Sequence, residues 1–123
     1  MSEKTLQIWR DYVSSMQQGS DRWQTLLADD IEFTGPVMQV KGKQEFIRLN
    51  QDFFKMVTGM EIQQYAAADK AVATQTRIKA NSPRGNVFEF ELAEFYGIEN
   101  GKIQSLRIYY DPREFLKEFS MEP

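Results

Sequence analysis

The sequence predicts an α+β fold, with N-terminal helices packed on a curved, mostly antiparallel sheet that forms a cone with an internal pocket. Three observations predict it. Apolar residues recur at helical spacing up to about residue 57, then alternate with period two almost to the end. Asn100-Gly101, a strong two-residue hairpin signal, joins the last two extended segments. The 123 residues contain no linker, repeat or low-complexity stretch, so positions 1–123 read as one domain.

The first helix spans residues 2 to 18, with Ser2 as its N-cap. Leu6, Trp9, Val13 and Met16 form its buried stripe and Tyr12 flanks them. Gly19 suits the left-handed residue that ends a helix, and Ser20 can cap a second one over about 21–28 that turns Trp23, Leu26 and Leu27 inward. A short strand over 31–34 stops at Gly35-Pro36, because proline has no N–H for a sheet ladder. An extended piece over 37–40 follows, then a third helix over 43–57. Its stripe is Phe46, Asn50, Phe53 and Val57, and Asn50 there is either a satisfied core amide or a hydrogen-bonding group in a pocket. Strands follow over 60–67, 71–80, 87–98 and 102–110. In the first of these Ile62 and Tyr65 fall on opposite faces. In the second, Val72, Thr74, Thr76 and Ile78 face inward and Arg77 outward. The last places Leu106, Ile108 and Tyr110 on one face, with Ile103, Arg107 and Tyr109 on the other. Asp111-Pro112-Arg113-Glu114 opens a terminal helical turn running to Phe119.

Composition narrows the chemistry. The chain has no cysteine and no histidine, which excludes disulfides, thiolate nucleophiles, Cys- or His-based metal sites and imidazole catalysis. No cofactor or metal is expected. A net charge of −3 with scattered Lys and Arg offers no nucleic-acid surface. No segment reads as a signal peptide or membrane span, so the expected location is cytoplasmic. Acid–base work falls to carboxylates, tyrosines, lysines and arginines with environmentally shifted pKa values.

Glu94 stands out. It shares a strand face with Phe88, Phe90, Leu92, Tyr96 and Ile98, where a carboxylate is costly unless it is paired, neutralised or facing a cavity. Either it is a working group or it lies near the strand end and reaches solvent or an arginine. The expected pocket wall comprises Trp9, Phe33, Asn50, Phe54, Leu92, Tyr96, Ile108 and Tyr110, with Tyr12 and Glu94 as catalytic candidates. Ordinary core is the alternative reading for the aromatic residues.

The segments Asp11-Tyr-Val-Ser-Ser-Met-Gln-Gln-Gly-Ser20, Leu27-Ala-Asp-Asp-Ile-Glu-Phe33, Gly35-Pro36-Val37, Val40-Lys-Gly42, Glu99-Asn-Gly-Lys-Ile103 with Leu106-Arg107, and Tyr110-Asp111-Pro112 carry a resemblance. In that order they resemble the nuclear transport factor 2-like superfamily, in its SnoaL-like and ketosteroid isomerase-like branch. The resemblance covers nearly the whole chain and is more specific for fold than for reaction. It implies Tyr12 as an oxyanion-hole tyrosine and Glu94 in the place of a carboxylic acid held neutral by its apolar surroundings. The isomerase base position carries Gly35, and Glu32 and Asp30 nearby lie in a different register, so steroid isomerisation by the familiar route is not implied. A likeness to the Asp-Arg-Asp arrangement of limonene epoxide hydrolase would need Arg77 beside Glu94, yet the alternation turns Arg77 outward.

Three functions are compatible with these residues. One is a pocket protein for a small apolar or aromatic ligand. Another is a cofactor-independent isomerase, cyclase or lyase using Glu94 and Tyr12. The third is a non-catalytic interaction domain, homodimeric through an outer sheet face carrying Val87, Phe95, Arg107 and Tyr109.

Overall fold

The computed structural model describes residues 2–119. The cap expected from the Ser2 side chain lies outside the described residues, as do positions 120–123. Helix α1 covers Ser2–Gln17. It ends in a Schellman motif, with the Gly19 N–H on the Met16 carbonyl (3.1 Å) and the Ser20 N–H on the Ser15 carbonyl (3.0 Å). Gly19 takes φ 72°, which a residue with a Cβ adopts only at a cost.

The buried face of α1 is rotated from the one expected. Tyr12 is its most buried ring at 2% exposure, beside Trp9 at 4%, while Leu6, Val13 and Met16 are only partly covered. Thr5 and Ser15 are buried too. Their hydroxyls are satisfied locally, so they fit an apolar face. Thr5 donates to the Asp69 carbonyl, and Ser15 Oγ accepts the Trp23 N–H at 2.8 Å.

That Ser15–Trp23 bond anchors a 3₁₀ turn, Arg22–Leu26, where a helix to about residue 28 was expected. The sheet takes over at Leu27. Strand β1 runs Leu27–Thr34, not only over 31–34, because Leu27 already pairs with Ile103 and is fully buried. Strand β2 is short, Gln39–Lys41. Helix α2 covers Lys43–Phe54 and stops before Val57. Its end is pulled onto the sheet, with the Asn81 N–H on the Met56 carbonyl at 2.8 Å and Val57 opposite Ala80.

Strands β3 (Val57–Ala67), β4 (Ala71–Asn81), β5 (Val87–Glu99) and β6 (Lys102–Tyr109) complete a six-stranded sheet of order β2-β1-β6-β5-β4-β3. All neighbours are antiparallel except β1 and β6. Asn100 and Gly101 both have positive φ, as a type I′ hairpin requires. Helix α3, Pro112–Phe119, follows the last strand. The helices and curved, unclosed sheet give the expected α+β cone arrangement.

Two of the sheet's register shifts overturn the side-chain directions that simple alternation gives. Ile62 pairs with Thr76 and Tyr65 with Thr74, so the irregularity at Gln63 puts Ile62 and Tyr65 on the same, helix-covered face. Likewise Ile98 pairs with Ile103 while Gly97 pairs with Ser105, and the extra residue turns Ile103 inward beside Leu106. A sheet with period two shifts face at every inserted residue, so strand alternation holds only between bulges. The core joins Trp9, Tyr12, Trp23, Ile31, Phe46 and Tyr96 to these buried strand residues.

Candidate functional site

A cavity of about 130 Å³ lies between α1, α2, α3 and the inner face of the sheet. Its most buried wall residues, Tyr12, Tyr96, Leu92 and Leu106, mark the closed end, and Met38, 41% exposed, marks the mouth. Of the expected wall residues, Phe33, Asn50, Phe54, Leu92, Tyr96, Ile108 and Tyr110 line it, as do both catalytic candidates, Tyr12 and Glu94. Trp9 does not. Its ring packs behind the wall on Tyr65 (4.9 Å between centroids) and Tyr96 (6.4 Å). The Trp9 indole Nε1 is buried without a hydrogen-bond partner; it is close enough to the Tyr96 hydroxyl to oppose that phenol's pKa rise but outside hydrogen-bond geometry.

Among the described residues, Glu94 is the only charged side chain in the lining. The register explains its setting, since β4 places Thr74 directly opposite Glu94 and Thr76 opposite Leu92. Both threonine hydroxyls donate to Glu94 Oε1, at 2.8 and 2.9 Å, and the Tyr96 hydroxyl donates to Oε2 at 3.1 Å. The little surface that Glu94 keeps faces the cavity, so protein encloses the carboxyl without covering it completely. Burial raises its pKa above the ordinary carboxylate value, and the three hydroxyl donors pull the other way.

Tyr12 is held by edge-on contacts with Tyr96 (5.8 Å) and Trp23 (6.2 Å). Its hydroxyl has no hydrogen-bond partner among the described residues, although the ring is 2% exposed. Burial first, and the nearby Glu94 charge second, push the Tyr12 pKa well up. Tyr96 is raised for the same two leading reasons, so both phenols are neutral near neutral pH. Tyr110 is raised by partial burial, and its ring meets Phe90 (5.4 Å) and Phe115 (5.7 Å).

Asn50 combines both readings left open for it. Its amide Nδ2 donates to the Phe46 carbonyl at 2.8 Å while the side chain also lines the cavity. Gly35 sits on the wall as well, and a Cβ there would lie 3.2 Å from Ile108 Cγ1, so even a small side chain presses on its neighbour. Arg77 points outward and pairs with Glu91 at 3.1 Å, away from Glu94.

Sequence reading missed Thr74 and Thr76 as partners of Glu94. Their inward direction was readable, but pairing them with this carboxylate required the β4–β5 register. Phe115 was missed because a short terminal helix gives no clue to where it docks. Among the described residues no group of His, Cys, Asp and Glu is placed to hold a metal ion, and no helix is long and apolar enough to cross a membrane.

A family profile described as the SnoaL-like domain matches residues 9–106. No curated protein matches the sequence. Among solved structures, the chain is similar to a nuclear transport factor 2-like protein from Burkholderia xenovorans (18% identity, TM-score 0.84, covering 98% of each chain). It is also similar to a candidate SnoaL-like polyketide cyclase from Jannaschia sp. (12% identity, TM-score 0.81, 100% of this chain and 96% of that one). A de novo designed protein with a curved β-sheet aligns too (22% identity, TM-score 0.75, 95% and 92%). At such identities these likenesses bear on fold alone.

Proposed function

Since this chain belongs to the SnoaL-like domain family of the nuclear transport factor 2-like superfamily, we propose that it binds a small, largely apolar or aromatic molecule in the cavity between its helices and sheet. One observation carries the reading: an aromatic-walled cavity whose closed end holds a lone carboxylate. Pockets of this kind gain affinity from apolar burial and orientation from a few polar groups. The volume sets the scale. A cavity of roughly 150 Å³ holds benzene, so about 130 Å³ suits one ring or a short branched chain. A four-ring steroid would have to protrude through the mouth.

A thermal-shift and NMR titration with single-ring aromatic alcohols, amines and ketones tests this. Ligands should raise Tm and shift signals of Tyr12 and Leu92, and Ile62→Phe, which fills part of the cavity, should abolish both effects. Binding unaffected by Ile62→Phe would reject the cavity as the site.

A second reading, favoured by the unpartnered Tyr12 hydroxyl beside a carboxyl of raised pKa, is an isomerase, cyclase or lyase. Here Tyr12 polarises a carbonyl and Glu94 moves the proton. Gly35 supplies no second carboxylate, so Glu94 must both take and return that proton. Residues 1–123 act as one domain in either case. We further place the protein in the cytoplasm as a homodimer through the outer sheet face, where Phe95, Tyr109 and Val87 are 48%, 54% and 62% exposed.

A further inference from the structure

The hydrogen-bond inventory of the closed end is lopsided. Each threonine hydroxyl has one proton, and Thr74 and Thr76 both donate theirs to Glu94 Oε1. Tyr96 donates its proton to Oε2. Of the phenols that interact with Glu94 among the described residues, Tyr12 is the one whose hydroxyl is not already committed. Acceptor capacity, by contrast, remains on Glu94 Oε2 and on the Tyr12 oxygen. A ligand group that needs donors finds one, whereas a group that brings donors finds two oxygens, one of them formally charged.

Charge points the same way. Among the described residues no Lys or Arg lines the cavity, so ionised Glu94 has no cationic side chain among them there. Its three hydroxyl partners favour the carboxylate over the acid, since an ionised carboxylate only accepts. The cost of burying that carboxylate is already met in the folded protein. An entering cation brings only its own desolvation and relieves an unpaired buried charge. The rings of Phe33, Phe54, Phe90 and Tyr110 line the cavity; aromatic rings favour a cation placed over a face and pack against its apolar body.

We propose that the cavity selects a small organic cation, a primary or secondary ammonium on a single aromatic ring or short apolar body. Its N–H groups bond to Glu94 Oε2 and the Tyr12 oxygen. This inference rests on the cavity being the ligand site, as proposed above, and names the chemical class that the site takes. Anions are excluded by Glu94, and neutral alcohols or ketones of equal shape bind more weakly.

The binding has a defined pH dependence. The titratable groups that interact with Glu94 are Tyr12 from α1 and Tyr96 on β5, and Tyr110 lines the same cavity; all three are neutral phenols over the relevant range. Glu94 is then the protein group whose ionisation governs the ligand. Affinity for an ammonium rises as pH climbs through the Glu94 pKa, and binding below that point expels a proton.

The test uses three near-isosteric probes, benzylamine, benzyl alcohol and benzoate, titrated into the full chain by calorimetry and NMR over a pH series from about pH 4 to about pH 8.5, which locates the raised Glu94 transition. Benzylamine should bind about tenfold or more tighter than benzyl alcohol at the upper end of the series, as expected for a charge-assisted contact. That preference should shrink at the lower end, and benzoate should not bind. Glu94→Gln should erase the amine preference, so that benzylamine and benzyl alcohol bind the variant about equally. Equal binding of amine and alcohol, or an amine preference that survives Glu94→Gln, overturns the cation inference and leaves the pocket reading intact. Failure of all three probes to bind overturns both.

Discussion

Thr76→Val removes one hydroxyl from a fully buried side chain and preserves its shape. The lost group is the donor 2.9 Å from Glu94 Oε1. A hydrogen bond to a charged group contributes about 1.5–3 kcal/mol, and one to a neutral group about 0.5–1.5 kcal/mol. The cost of the substitution therefore depends on the ionisation of Glu94. Burial already holds the folded Glu94 pKa above its unfolded value, and loss of a stabilising donor raises it further. With a raised folded pKa, the stability that Glu94 contributes is full below the unfolded value of about 4.3 and is lost as pH rises through the folded value. Thr76→Val deepens that loss. Its expected cost is about 0.5–1.5 kcal/mol at a pH below the Glu94 transition and about 1.5–3 kcal/mol at a pH above it. For a domain of this size each kcal/mol shifts Tm by about 4 °C. Urea unfolding of both proteins at the two pH values reads the difference directly, because other titrating groups cancel between variant and parent. In a Glu94→Gln background the amide oxygen still accepts from residue 76, so the cost should fall to the neutral value and lose its pH dependence. An equal cost at both pH values, or an undiminished cost in the Glu94→Gln background, would refute a charged Glu94 held by this hydroxyl.

Two further outcomes follow from the same geometry. Glu94→Gln alone should raise Tm at pH values above the Glu94 transition, where the parent carries a buried charge, and leave it nearly unchanged near pH 4; a lower Tm across the whole pH series would count against the burial argument. Phe95→Glu beside Tyr109, whose rings meet at 5.7 Å on the outer face, should convert a micromolar dimer to monomer in sedimentation; a parent that sediments only as monomer removes the dimer.

Much of the architecture was legible in the residues. Helical stripes gave α1 and α2, Asn100-Gly101 fixed the last hairpin, and the apolar face of β5 singled out Glu94. These are local properties: propensity, turn conformation and side-chain direction over a few residues. The same locality explains what went astray. Nothing near Gln63 or Gln104 announces a bulge, yet one inserted residue in each strand moved Tyr65 and Ile103 to the inner face. The 3₁₀ turn at Arg22–Leu26 and the early end of α2 were decided by sheet partners far along the chain, Ile103 and Ala80.

The candidate site divides along the same line. Sequence alone determined that a carboxylate would sit among apolar neighbours with neither histidine nor cysteine to assist it. Tertiary structure decided which groups surround that carboxylate. Thr74 and Thr76 reach it through strand register, Tyr12 approaches from a helix near the start of the chain, and Arg77 is turned away toward Glu91. Hydrogen bonds and Coulomb forces act across a few ångströms of space regardless of sequence separation, so the partners that set this carboxyl's chemistry are fixed only once the sheet has closed its register over the helices.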